Sequence, residues 1–441
     1  MINFLIQQFH YFCRKIKKSD IGTRMARGVF WTLLGTVIGK FFVLIAGIIV
    51  ANILGKDQYG ELGLVRSTIS MFVIFGVAGL GMTATKYISE FKDINKERLV
   101  SIFIIVVVFT LILGLIVSSL VFYCAPYLAE KMLNNPLIVD DIQVGSFFLF
   151  FTIINSVLQG VLSGFEDFRS TALTTFVGSF VEFIFMIIGA YYLGVIGALI
   201  GYGLGYMVMT LLYVFFIKQN FDRHSISINF EYLRKKDISI IYRFSLPAAL
   251  SSFMVAPIFW IVKTMLANVP DGYGELGIYE AADQWRVIIL FIPSSLSAIL
   301  MPILSNSLSK GETISFWLTL KYNIYLNAFF SFVLALFVSF FAKCIMNMYG
   351  EDFNDIWTII LVAFSTVFTS ISSVVGISIA SKGKMWIGFI FNLLWAFIFI
   401  SFTYYFLMCN MKAIGLALAL LLSYFFHSTF QLIYLRFENL K

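Results

Sequence analysis

Six ionisable side chains interrupt long apolar runs in this chain. Lys40, Arg66, Lys263 and Arg286 are cations; Glu182 and Asp283 are carboxylates. An arginine grips a phosphate with two parallel hydrogen bonds, and a lysine acts as a mobile point charge. Together they describe anion binding. On insertion scales a cation at the bilayer midplane costs about 2.5–3.5 kcal/mol. Lys40, the deepest in its run, therefore has to face a wet cavity or a partner. Arg66 and Lys263 lie nearer the ends of their runs and could instead snorkel, as could Arg243. Asp283 and Arg286 are three apart and share a helical face, which also fits a plain structural pair. If these groups line one cleft, its excess charge is positive and it attracts an anion. A phosphate-bearing lipid headgroup fits that cleft; a cationic drug does not. Asp283 or Glu182 could couple the cleft to a proton or a sodium ion.

Elsewhere no catalytic constellation stands out. Cys13, Cys124, Cys344 and Cys409 are far apart with no CxxC, so neither a disulfide framework nor a zinc pattern is expected. They read as small packing residues. The chain has no GxxxxGKS loop, so ATP is not the direct energy source, and no cofactor or metal is expected. Asp140-Asp141 resembles the metal-binding pair of a membrane glycosyltransferase, but no second acidic cluster accompanies it and it reads as a solvated loop. Aromatic side chains could stack on sugars, although most must face lipid or pack. The expectation is a transporter rather than an enzyme.

The elements that hold these charges are membrane spans. The chain is 60% hydrophobic and 12% charged, against roughly 45–50% and 25% in soluble domains. A span needs about 20 predominantly apolar residues. Twelve such runs are legible, roughly 28–52, 63–85, 99–122, 143–164, 171–193, 195–217, 240–266, 281–305, 316–342, 355–380, 385–408 and 412–435. They lack period-two alternation and are about twice the length of barrel strands, so they read as helices. Lys40 falls near the middle of the first run and Glu182 near the middle of the fifth. Arg66, Lys263 and the Asp283–Arg286 pair occupy the outer parts of the second, seventh and eighth.

The net charge of +7 does not indicate nucleic acid. The cations cluster in alternate loops, among them Lys86–Arg98, Lys218–Lys236 and Lys382–Lys384, which the positive-inside rule places in the cytoplasm together with both termini. The arm 1–27 begins with Ile2, Leu5, Ile6, Phe9, Phe12 and Ile16 on one helical face, followed by a basic cluster. It reads either as an interfacial helix on the inner leaflet or as a frayed basic tail. The loop 218–239 is the longest connection.

The run YGELG occurs at 59–63 and again at 273–277, just after the first and the seventh spans. Gly160 and Gly376 mark the ends of the fourth and tenth spans, and Ile196-Gly197 and Ile414-Gly415 open the sixth and twelfth, at nearly the same separation. The chain thus reads as two six-span halves, 28–217 and 240–441. An even span count gives both halves the same orientation, so the repeats are parallel, with the substrate path between them. YGELG itself reads as an outer-surface turn whose glycines permit a tight reversal.

The segment from Gly28 to Phe91, with ILGKDQYG at Ile53–Gly60, GLG at Gly79–Gly81 and Lys86-Tyr87-Ile88-Ser89, resembles the start of polysaccharide repeat-unit flippases. These are the O-antigen and capsule (Wzx-type) members of the multidrug/oligosaccharidyl-lipid/polysaccharide exporter superfamily. The resemblance implies a flippase that moves an undecaprenyl-diphosphate-linked oligosaccharide across the bacterial inner membrane by alternating access. It also implies two six-helix bundles that rock around a central cationic cavity. Related lipid II flippases place basic residues in spans one, two and eight, where Lys40, Arg66 and Arg286 stand in comparable places. Those relatives carry two further spans, so a peptidoglycan substrate is not expected. The alternatives are an ion-coupled multidrug exporter of the same superfamily, which would favour acidic groups in the cavity, and a membrane glycan polymerase or glycosyltransferase, which would favour a large outer loop.

Overall fold

A computed structural model describes residues 20–241, 245, 253–297 and 300–439, with side chains from residue 35 onward except 302 and 439. The apolar face of the N-terminal arm and Arg243 lie outside the described residues. Within them all regular structure is helical, and eight helices are long and apolar enough to cross a membrane. The protein is an all-α integral membrane protein.

Two of the eight are too long for one crossing. Helix α1 is Asp20–Val77, and its stretch 35–77 alone has 43 residues. At about 1.5 Å per residue this is roughly twice the ~30 Å of a bilayer core. It breaks at Gly55, whose φ of 74° and ψ of 172° belong to no helix. After α2 (Leu80–Phe91), α3 (Lys96–Tyr127) and α4 (Val139–Gly164) comes α5 (Phe168–Arg223), 56 residues long and broken at Gly194 (φ 63°, ψ −138°). The two arms of α5 fold back on each other. Gly189 meets Gly197, Gly201 meets the Met186 backbone and Gly178 meets Met209, each too close for a Cβ. Small residues are what let helices in lipid approach to backbone contact.

The second half contains α6 (Val255–Ala267), α7 (Gly272–Ile289), α8 (Phe291–Ser297), α9 (Leu300–Ser309), α10 (Thr313–Phe340), the short α11 (Ala342–Asn347), α12 (Ile356–Ser381), α13 (Met385–Met408) and α14 (Lys412–Asn439). The eighth apolar run starts earlier than expected, at Gly272, and continues as three consecutive helices. Apolar side chains such as Leu115, Ile116, Phe329 and Phe397 point outward, as lipid-facing groups do.

Among the described residues, the buried apolar side chains form one shared core and two separate ones. The shared core lies at the YGELG end and draws on both halves: Leu62, Leu64 and Val65 pack with Val262, Leu276, Tyr279, Met346 and Leu416. At the opposite end, where the basic loops are, the first half has its own core around Leu80, Leu99, Val161 and Phe221. The second half has another around Leu300, Phe316, Val375 and Leu435. Among the described residues, the halves share a buried apolar core at one end and have separate ones at the other.

The expectation that YGELG forms a turn is corrected. Both copies are helical: residues 59–63 belong to α1 and 273–277 to α7. Gly55 and the segment Asn268–Asp271 supply the breaks instead. The glycines serve contact. A Cβ on Gly60 would strike the Tyr273 carbonyl, and one on Gly277 would strike the Lys56 carbonyl and crowd the Gly60 amide. The Gly160–Gly376 landmark is likewise unequal in the structure. Gly160 packs against the Gly81 backbone, whereas Gly376 has nothing within 4 Å.

Candidate functional site

A cavity of about 810 Å³ lies between the halves. All six ionisable residues singled out in the sequence line it: Lys40 and Arg66 from α1, Glu182 from α5, Lys263 from α6, and Asp283 and Arg286 from α7. Snorkelling is thereby excluded for Arg66 and Lys263, which point inward.

The two halves treat their cations differently. Lys263 is buried and bonds Glu280 at 2.7 Å and Asp283 at 3.5 Å. Asp283 also accepts a hydrogen bond from Arg286, whose guanidinium sits 4.8 Å from the centre of the Phe259 ring. These four charges neutralise one another. Such a cluster is tolerated at depth because each member has a partner. In the first half, Arg66 stacks 4.7 Å over the Tyr202 ring. Neither Arg66 nor Lys40 has a carboxylate within salt-bridge reach among the described residues. Glu182, on the facing α5, is the nearby acid that acts on Arg66 through space.

Glu280 escapes the sequence reading, in which the eighth span begins one residue later. With it the cavity holds four cations and three carboxylates, a formal excess of one positive charge. The signal was available: Glu280, Asp283, Gln284 and Val287 recur at helical spacing and all face the cavity. Neutral polar lining residues also escape it, among them Tyr59, Asn155, Gln159 and Gln284. Asp141, expected on a solvated loop, lies in the first turn of α4 and is buried, with Oδ1 unpartnered.

At the YGELG end the halves are sewn together. Gln284 Nε2 donates to the Tyr59 hydroxyl at 2.7 Å, and the Tyr349 hydroxyl donates to Gln284 Oε1 at 3.0 Å. Trp260 Nε1 donates to Thr68 Oγ1 at 2.9 Å, and the Tyr273 hydroxyl donates to the Leu133 carbonyl at 2.8 Å. Asn268 Nδ2 donates to the Met132 carbonyl at 2.8 Å. With Gly60 and Gly277 in backbone contact, the cavity is closed off on this side. At the basic end the halves touch through Thr83 and Ser245 hydroxyls at 2.7 Å and the rings of Phe75 and Phe253 at 4.9 Å. The connecting loop is tied to α3 by Asp237, which accepts from Ser101 at 2.9 Å and faces Arg98 at 3.4 Å.

Comparison with known proteins gives concordant results. The family described as "Polysaccharide biosynthesis protein" matches residues 25–308. Among curated relatives, an EPS I polysaccharide export inner membrane protein, EpsE, of Ralstonia solanacearum is 26% identical over 196 residues, 43% of this chain and 44% of that protein. The EpsE of Ralstonia nicotianae is 32% identical over 78 residues, 18% of each chain. The matches thus span less than half the length of these two relatives. An uncharacterized membrane protein of Methanocaldococcus jannaschii is 24% identical across 93% of this chain and 84% of its own. Among solved structures, a multidrug resistance MATE family transporter of the MOP superfamily in an inward-facing conformation superposes with a TM-score of 0.79, at 16% identity, over 92% of this chain and 98% of that one. A MOP superfamily transporter from Pyrococcus furiosus, described as having a binding pocket of reverse polarity, superposes with a TM-score of 0.69 at 17% identity, over 96% and 97%.

Proposed function

The chain belongs to the polysaccharide biosynthesis protein family and has the fold of the MOP superfamily; from that premise we propose that it flips lipid-diphosphate-linked oligosaccharide repeat units across the cytoplasmic membrane of a bacterium. The observation that carries this reading is the pair Lys40 and Arg66, two cations on the cavity wall with no carboxylate of their own among the described residues. An anion entering the cavity displaces no salt-bridged carboxylate of the described residues from these two. Charge-assisted hydrogen bonds to phosphate are roughly twice as strong as neutral ones, and low-dielectric walls focus the field on the ligand. Lys263 and Arg286 are secondary contacts, because a phosphate must compete there with Glu280 and Asp283.

The halves 28–217 and 240–441 are the rocking units. With the basic loops in the cytoplasm, the protein in this arrangement is closed outside and loads from inside. The linkage at the YGELG end and the separate cores at the other support this, as does the inward-facing state of the similar MATE transporter. The headgroup enters the cavity while the polyprenyl tail stays in lipid. Breaking the YGELG-end contacts exposes the headgroup to the far side. Glu182 and the Asp283–Glu280 pair are the groups available to a coupling proton or sodium ion. A cationic drug is a poorer occupant, since Glu280 and Asp283 already have cations.

The test is glycan export in a strain lacking its own repeat-unit flippase, comparing wild type with Lys40→Ala at matched membrane levels. Export by wild type and accumulation of lipid-linked units inside the variant is the expected result. Equal export by both removes Lys40 as the phosphate contact. Drug resistance without a glycan phenotype would reverse the substrate class.

A further inference from the structure

A second cavity of about 400 Å³ lies beside the first, towards the basic end. It is walled by the end of α1, by α2 and by α4. The two cavities share three lining residues: Val73, Ser156 and Gln159. They are therefore neighbours, and the shared residues stand at their common boundary.

Helix α4 contributes polar side chains to both. Thr152, Ser156, Gln159 and Ser163 recur at spacings of four, three and four, so they form one row on one face. The row is about 16 Å long at ~1.5 Å per residue. Its members are not equivalent. Thr152 and Ser163 spend their hydroxyl protons on their own helix, donating to the Phe148 and Gln159 carbonyls at 3.1 and 2.9 Å. Ser156 and Gln159 make no side-chain hydrogen bond with another described residue. These two uncommitted groups are the polar residues at the junction of the cavities. At the offset of the Gly160–Gly376 landmark the second half has Ser372 and Val375 in place of Ser156 and Gln159, both of them buried, so the pair is not repeated there. Other hydroxyls of that helix are also turned inward. Ser365, Thr366 and Ser370 on α12 are buried and bond their own backbone.

The chemistry of this row differs from that of the charged centre. Gln159 offers two donors and an acceptor, and Ser156 one donor and two lone pairs. None carries charge, so a phosphate has no reason to prefer them over Lys40 and Arg66. An apolar tail placed here would strip water from both without replacing its hydrogen bonds, which is costly. A neutral molecule dense in hydroxyls satisfies them. The row faces Val73, Ile74, Val77 and Met82 across the cavity, and a pyranose presents just this pair of surfaces, hydroxyl edges and an apolar C–H face.

We infer that the α4 row centred on Ser156 and Gln159 is the sugar subsite: it takes the first sugars of the repeat unit as they extend from the diphosphate at Lys40 and Arg66 towards the basic end. This rests on the lipid-diphosphate reading above. It adds that selectivity among glycans resides in the first half of the chain, on a helix that carries none of the cavity's charges.

The experiment uses the full chain purified in detergent and two probes. One is farnesyl diphosphate. The other is farnesyl diphosphate bearing one N-acetylhexosamine on its terminal phosphate. Wild type is expected to bind the sugar-bearing probe about tenfold more tightly, a gain that two or so added hydrogen bonds supply. In Ser156→Val/Gln159→Leu that gain is expected to fall to about twofold or less, while the affinity for the sugar-free probe holds. Single variants Ser156→Ala and Gln159→Ala, each with part of the loss, serve if the double variant does not fold. An undiminished gain in the variants overturns the subsite. Equal weakening for both probes also overturns it, since the row would then only shape the cavity. No gain by wild type does the same. Failure of the underlying reading looks different: Lys40→Ala would then bind the sugar-free probe as well as wild type does.

Discussion

Lys263 on α6 and Glu280 on α7 are 2.7 Å apart, and the same lysine is 3.5 Å from Asp283. The second half of the protein thus carries its cations already balanced. Removing one member leaves a charge at depth without its closest partner. Glu280→Gln is expected to cost about 3 kcal/mol, the lower end for a broken buried pair, because the carboxylate retains 16% exposure to the cavity. Lys263→Met/Glu280→Met is expected to cost less than Glu280→Gln alone. Unfolding of the three proteins in detergent checks this; a double variant less stable than Glu280→Gln would show that the two residues do not act as a pair.

Lys40 and Arg286 line the same cavity, but only Arg286 has a carboxylate beside it. Lys40→Ala is expected to weaken binding of a prenyl diphosphate about tenfold or more, in line with the ~1.5–3 kcal/mol of a charged hydrogen bond. Arg286→Ala should weaken it less, since the wild-type arginine is shared with Asp283. Titration calorimetry on the two variants decides the order. A larger loss for Arg286→Ala would move the principal anion contact to the second half.

Gly60 packs against the Tyr273 carbonyl with no room for a methyl group. Gly60→Ala has to part α1 from α7 at the closed end. Overpacking costs about 1–3 kcal/mol, which is roughly a five- to 150-fold shift away from the closed arrangement. Spin labels placed on the two halves at the YGELG end should report longer distances in the variant. Unchanged distances would show that the helices absorb the methyl group without separating.

Gly55 presents the opposite case. A methyl group there would have nothing within 4 Å, but the backbone has a φ of 74° and a ψ of 172°. Only glycine occupies that region freely, and other residues lose about 1–3 kcal/mol there. Gly55→Ala is expected to lower stability by that amount despite the open space. Thermal unfolding tests it, and an unchanged midpoint would mean that the break tolerates an L-residue.

The charges are the most legible part of the site. Their cost in lipid leaves each few places to go, and Lys40, Arg66, Glu182, Lys263, Asp283 and Arg286 all meet in one cavity. Hydropathy yields the helices and two of their joints: the gap between the runs 28–52 and 63–85 contains Gly55, and the gap between 171–193 and 195–217 is Gly194, where α1 and α5 break. Glu280 escapes because helix α7 begins at Gly272, well before its sequence becomes continuously apolar, and because helix ends tolerate polar groups. YGELG misleads for a physical reason. Glycine serves both tight turns and close helix contacts, and composition alone does not separate the two uses. The neutral row on α4 is illegible for a similar cause: Ser and Thr in a span often bond their own backbone, and only contact geometry distinguishes Ser156 from Ser163.

The closed end joins two copies of the same five residues, 59–63 and 273–277. A surface that recognises its own copy is the kind a twofold homodimer uses. A lone six-span half carrying one such run would therefore hold both sides of the contact and could pair with a sister chain inserted in the same orientation. Covalent fusion turns that encounter into an intramolecular one, independent of protein concentration. It also releases the two copies from identity. Here Lys40 and Arg66 have no salt-bridged acid among the described residues, while Glu280 and Asp283 hold Lys263 and Arg286, an asymmetry that no symmetric dimer can carry.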